Sequence, residues 1–107
     1  MAQAIRLNPN YALAYNNRGA AYAHMGEYGC ATSDFDMAIR LNRSFALAYA
    51  NRGNAYLCRG LYDRAIGDFD RALELNPQDT GAREGRAVAV SRRQAEMKGP
   101  ARAPSGQ

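Results

Sequence analysis

Residues 46–56 read ALAYANRGNAY, and residues 12–22 read ALAYNNRGAAY. Sliding the chain by 34 residues lays 12–42 on 46–76 with more than half of the positions identical. The shared residues include Tyr15/Tyr49, Arg18/Arg52, Gly19/Gly53, Tyr22/Tyr56, Gly26/Gly60, Ala31/Ala65, Phe35/Phe69 and Ala38/Ala72. A fixed period in this range marks a solenoid built by repeating one supersecondary unit.

Inside the unit the spacing is helical. Tyr15, Gly19 and Tyr22 fall at i, i+4, i+7 and share one face, as do Ala31, Phe35, Ala38 and Ile39 on a second helix. Between them stands MGEY or RGLY, where Gly26 and Gly60 are expected to take the left-handed conformation that ends the first helix. The unit is a helical hairpin. Small residues set its closure: Gly19 and Ala31, with Gly53 and Ala65, leave room that Phe35 or Phe69 fills.

These residues resemble the tetratricopeptide repeat family. The aromatic, glycine and tyrosine of its first helix stand as Tyr15, Gly19 and Tyr22, and the alanine, aromatic and alanine of its second as Ala31, Phe35 and Ala38. The next copy repeats both and closes on ELNP. The resemblance implies an all-α fold, with helical hairpins stacked in a right-handed solenoid. Two full repeats, 11–44 and 45–79, are expected between the tail of a preceding repeat helix (1–10) and a capping helix (80–97), with a disordered tail at 98–107. Helices are expected at about 12–25, 28–41, 46–59 and 62–75.

Two positions depart from the family pattern. Arg18 and Arg52 stand where leucine is usual, one residue before the glycine. A charge on that inner edge needs a partner, and Asp34 and Asp68, beside the aromatic of each second helix, are expected to supply it. The other is Arg43, at the turn where Pro9 and Pro77 stand in the other copies. An ordinary turn using Asn42 and Ser44 is expected there, in preference to one continuous helix that would invite domain swapping.

The resemblance also implies a function: a protein–protein interaction module whose first helices line a concave groove for a peptide segment of a partner. That face carries Leu13, Asn16, Asn17, Ala20, Ala23 and His24, then Leu47, Ala50, Asn51, Asn54, Leu57 and Cys58. It has no Asp, Glu, Lys or Arg, and its carboxamides offer both donor and acceptor to a peptide backbone. The two-carboxylate clamp of the chaperone-binding members is not matched. Its places hold Asn16, Ala20, Asn51, Gly81 and Gly85, of which only Asn51 fits. Self-association, as a homo-oligomer stacked through uncovered solenoid ends, is a second expectation.

Charge is segregated. Residues 1–79 hold eight arginines against eight acids, so the excess belongs to the last helix and tail. Arg83, Arg86, Arg92 and Arg93 form a candidate basic patch, and contact with nucleic acid, another polyanion or an acidic protein is the alternative function. No aromatic residue accompanies them to stack on bases. Nucleic acid is therefore not the expected partner.

No enzyme is expected. His24 is the only histidine, and with Cys58 it makes two ligands where a structural zinc needs four. No glycine-rich phosphate loop is present, so neither cofactor nor metal is expected. No apolar run approaches the roughly 20 residues that cross a bilayer, and MAQAIRLNPN is not a signal peptide. Cys30 and Cys58 are not repeat-equivalent, which suits free thiols. A soluble, cytoplasmic scaffold without membrane contact is the expectation.

Overall fold

The computed structural model describes residues 9–102, with side chains from 10 to 98. Five helices and no strand occur among them: α1 (Pro9–His24), α2 (Tyr28–Leu41), α3 (Ala46–Cys58), α4 (Tyr62–Leu75) and α5 (Thr80–Arg102). The expected preceding helix tail, with Ile5 and Leu7, falls largely on 1–8 and lies outside the described residues, as do residues 103–107 of the expected tail.

Two boundaries differ from the sequence reading. Helix α1 takes in Pro9 and Asn10, because a first-turn proline lacks an amide that would have no helical partner anyway. Helix α5 runs to Arg102, so residues 98–102 are helical and not a disordered tail. Gln94, Ala95, Glu96, Met97 and Lys98 are all strong helix formers and carry it forward.

The glycine turns close as the sequence requires. Gly26 and Gly60 have φ of 79° and 78°. After α1, the Glu27 amide bonds the Tyr22 carbonyl at 2.9 Å and the Gly26 amide bonds that of Ala23 at 3.0 Å. Leu61, Tyr56, Gly60 and Leu57 repeat the pattern after α3, a Schellman closure that satisfies the last carbonyls of each helix.

The junction between repeats is an ordinary turn. The Ser44 amide donates to Asn42 Oδ1 at 3.1 Å, as the Gln78 amide does to Asn76 Oδ1 at 3.3 Å. The asparagine, not the proline, builds this turn. Arg43 therefore does no harm, and α2 and α3 remain separate helices.

Each hairpin is locked by a phenylalanine with no exposed surface, Phe35 in the first and Phe69 in the second. Gly19 and Gly53 give them room: a Cβ at these positions would stand 2.7 and 2.9 Å from the ring. Phe69 is bounded on its other side by Gly85 of α5, where a Cβ would stand 2.6 Å away. Alanines fill the rest, including Ala31, Ala38, Ala65 and Ala72.

The helices form two layers. Helix α1 touches α3 and α3 touches α5, whereas α2 and α4 do not touch each other. The array thus curves toward the α1, α3, α5 side. Helix α5 packs on α4 and α3 as α3 packs on α2 and α1. Ala82 and Ala89 lie 34 residues after Ala48 and Ala55, and all four are buried. The helix expected as a cap occupies the place of a third repeat's first helix.

Candidate functional site

The inner layer is positioned by arginines. Arg18 holds Asp34 with Nε and Nη2, both at 2.7 Å, and Arg52 holds Asp68 in the same fork at 2.8 Å. Arg52 also sends Nη1 back to Asp36 of the preceding hairpin at 2.8 Å, and Arg86 sends Nε to Asp70. Every one of these pairs is 16 residues apart. Charge-assisted forks of this kind fix helix rotation as well as spacing. Both the Arg18 and the Arg52 guanidinium are held even more firmly protonated than usual, chiefly by their bonds to Asp34 and Asp68. Tyrosine rings flank them, with Tyr15 and Tyr22 at 5.7 and 5.8 Å from Arg18 and Tyr49 and Tyr56 at 5.8 and 5.7 Å from Arg52.

Sequence reading finds the pairs within a hairpin and misses those between hairpins. The missed signal is the DFD triplet, Asp34-Phe35-Asp36 and Asp68-Phe69-Asp70. Its second aspartate stands 16 residues before the next arginine, just as its first stands 16 after the previous one.

On the concave side, Ala20, Ala23, His24, Phe35, Asn51 and Asn54 line a hollow of about 170 Å³ between α1 and α3. Five of the six are expected groove residues, and Phe35 closes the wall. Leu13 and Leu47 flank it, 49% and 52% exposed. Asn17 and Cys58 are also exposed.

Two expected contact residues do other work. Asn16 is 1% exposed and accepts a bond from Asn51 Nδ2 at 3.0 Å, so it orients Asn51 from behind instead of meeting a ligand. Leu57 is half-buried and packs against the Phe69 cluster. Both lie on the flank of the helix that turns to the neighbouring helix. Ala50 is likewise buried. The neighbouring Cys58 thiol holds the Tyr28 hydroxyl above the usual tyrosine range. Among the described residues no cluster of His, Cys, Asp and Glu is placed to hold a metal.

Three of the four α5 arginines of the expected basic patch have partners within the chain. Arg86 bonds Asp70, Arg93 bonds Asp63 at 2.8 Å, and Arg83 donates to the Pro77 carbonyl at 2.7 Å. Arg92 is exposed. A larger hollow, about 310 Å³ beside Gly60, is walled by that Asp63–Arg93 pair and lies off the concave face.

A tetratricopeptide repeat family model matches residues 46–79, and a second matches residues 1–29. The tetratricopeptide domain of Arabidopsis OM64 is 31% identical with a TM-score of 0.76, over 85% of this chain and 75% of that one. The chain belongs to the tetratricopeptide repeat family. The first tetratricopeptide domain of human RPAP3 matches this repeat protein with a TM-score of 0.80 at 27% identity, covering 91% of this chain and 76% of that one. The first repeat domain of Spaghetti (RPAP3), bound to the HSP90 peptide SRMEEVD, is 32% identical with a TM-score of 0.72 over 78% of this chain. This tetratricopeptide repeat chain spans 64% of that domain's length. No curated protein sequence matches it significantly. No helix among its described residues is long and apolar enough to cross a membrane.

Proposed function

We propose that this repeat protein is an interaction module that seats an extended peptide segment of a partner on the concave face of α1 and α3. The observation that carries the reading is the hollow between Ala20, His24, Asn51 and Asn54, flanked by the exposed Leu13 and Leu47. Asn51 is held at its nitrogen by Asn16, which leaves its oxygen to accept a peptide N–H. The leucines take apolar side chains.

The Spaghetti domain, by its title, binds SRMEEVD, an acidic peptide. The peptide proposed here is neutral and mildly apolar, because the face offers no lysine or arginine to a carboxylate. The clamp positions support this. Asn16 is buried, and Gly81 and Gly85 carry no side chain.

The test is a selection of displayed random peptides on the intact chain. The reading expects enriched sequences that are neutral and apolar, whose binding is lost in Leu47→Glu and Asn54→Glu. Failure to enrich, or binding indifferent to both changes, contradicts it.

Self-association is a second mode, supported by the exposed outer face of α1, where Tyr11, Ala14 and Ala21 face solvent. Light scattering at micromolar concentration tests it, with a mass above one chain as the expected result. Polyanion contact through α5 has weaker support, since Asp63 and Asp70 already neutralise two of its four arginines. The exposed thiols of Cys30 and Cys58 suit a reducing, cytoplasmic setting. No catalytic role is proposed.

A further inference from the structure

One side chain in the concave hollow can change its charge near neutral pH. The hollow between α1 and α3 is lined by Ala20, Ala23, His24, Phe35, Asn51 and Asn54. Five of these are alanine, asparagine or phenylalanine and stay neutral at every pH. His24 stands in the last turn of α1, is exposed, and is the chain's only histidine. No ion pair among the described residues includes it. Packing does not dictate a histidine here, because the repeat-equivalent positions hold Cys58 and Arg92, which are exposed as well.

Among the described helices, those that pack against α1 are α2 and α3. The titratable or charged groups at this end of them are Tyr28 and Cys30 of α2 and Cys58 of α3, with Glu27 and Arg59 in the adjoining turns. Tyrosine, cysteine, glutamate and arginine ordinarily hold one charge state between about pH 5 and pH 8, where histidine changes its own. A peptide seated in the hollow feels that change with one of two signs. An apolar side chain laid over the ring strips water from the imidazolium, so such a peptide binds more weakly as the pH falls. A carboxylate laid against the ring is attracted to the imidazolium, so a peptide that carries one binds more tightly as the pH falls.

We propose that His24 sets the charge specificity of the concave face. With a neutral imidazole the face takes neutral, apolar peptide segments. With the imidazole protonated it takes segments that place an aspartate or glutamate at this end of the hollow. The proposal rests on the reading of the hollow as the peptide seat, and adds to it a class of partner that changes with pH.

The test is a selection of displayed random peptides on the intact, untagged chain, run in parallel at about pH 7.5 and about pH 5.5. His24→Gln and His24→Lys are carried alongside, with the fold of each checked by circular dichroism at both pH values. The unaltered chain is expected to enrich aspartate and glutamate at the lower pH only. An acid-bearing peptide so selected should bind about 3–5-fold more weakly at the higher pH, the scale of a partly exposed ion pair. The midpoint of that change should coincide with the titration of the imidazole proton resonances, which in this chain belong to His24 alone. His24→Gln should erase the difference between the two pools, and His24→Lys should select acid-bearing peptides at both pH values. Three results overturn the proposal and leave the groove reading standing: equal acid content in the two pools of the unaltered chain, a pH difference that survives His24→Gln, or a His24→Lys pool without acids. Pools that fail to enrich at either pH overturn the groove reading, and the proposal with it.

Discussion

Arg52 and Asp68 meet in a two-pronged ion pair, Nε to Oδ2 and Nη2 to Oδ1, each 2.8 Å, across the second hairpin. Asp68 is 6% exposed, so that arginine is the partner that compensates its burial. The same guanidinium binds Asp36 and so ties the second hairpin to the first. One residue thus sets both the closure of a repeat and the register between repeats.

Replacing Arg52 should therefore cost far more than its position on a partly open edge suggests. Arg52→Leu places the family's usual residue there but strands the Asp68 carboxylate, and is expected to lose about 2–3 kcal/mol. Asp68→Ala should cost less, because Arg52 keeps Asp36. The double change should fall short of the sum by about 1–2 kcal/mol in urea melts, the signature of a direct pair. Additive costs would count against the coupling.

Two glycines test the packing argument in opposite directions. A Cβ at Gly53 meets the immovable Phe69 ring at 2.9 Å, so Gly53→Ala should destabilise by about 1–3 kcal/mol. At Gly67, inside α4, a Cβ meets nothing within 4 Å, and Gly67→Ala should stabilise by roughly 0.5–1 kcal/mol through helix propensity. Thermal melts of the two variants should move apart, one down and one up.

Asn51→Ala should be felt behind the groove as well as in it. It removes the donor to Asn16 Oδ1 on a side chain 1% exposed, and an orphaned buried acceptor costs about 1–3 kcal/mol. Asn54→Ala, at an exposed position, should leave the melting temperature unchanged. The pair separates stability from recognition: both should weaken peptide binding, and only the first should lower stability.

Tyr62 makes stability fall at alkaline pH. Burial, and then the Glu96 carboxylate that its hydroxyl reaches at 3.3 Å, hold its pKa above the usual tyrosine range. A raised folded-state pKa gives stability that is complete below the unfolded value and lost as pH rises through the folded one. Tyr62→Phe should flatten this alkaline slope in a melting series between neutral pH and pH values above the ordinary tyrosine range. An unchanged slope would show that Tyr62 does not link α4 to α5.

Much of this architecture is legible in the residues. The repeat period, the glycine turns and the Phe35 and Phe69 wedges follow from local sterics that each repeat states for itself. The Arg–Asp pairs inside each hairpin also follow, because a charge on an inner edge has few possible partners. What escapes the sequence depends on which helix lies next door. Asn16 reads as a groove residue until α3 is placed beside it, and Leu57 until Phe69 is. Arg86 reads as part of a basic patch until α5 packs on α4 and brings Asp70 to it. Helix α5, polar in sequence, reads as a cap, and its burial rests on small residues, Ala82, Gly85 and Ala89, that carry little hydrophobic signal.

The account's central claim is that peptides are read on the concave face of α1 and α3. It is tested most directly by ¹⁵N-resolved titration of the intact chain with a neutral peptide enriched by selection on that chain. The account predicts saturable shifts at Ala20, His24, Leu47, Asn51 and Asn54, and none of comparable size at Arg83, Arg92 or Arg93. Shifts that concentrate on α5 and leave Asn51 and Asn54 unmoved would contradict it.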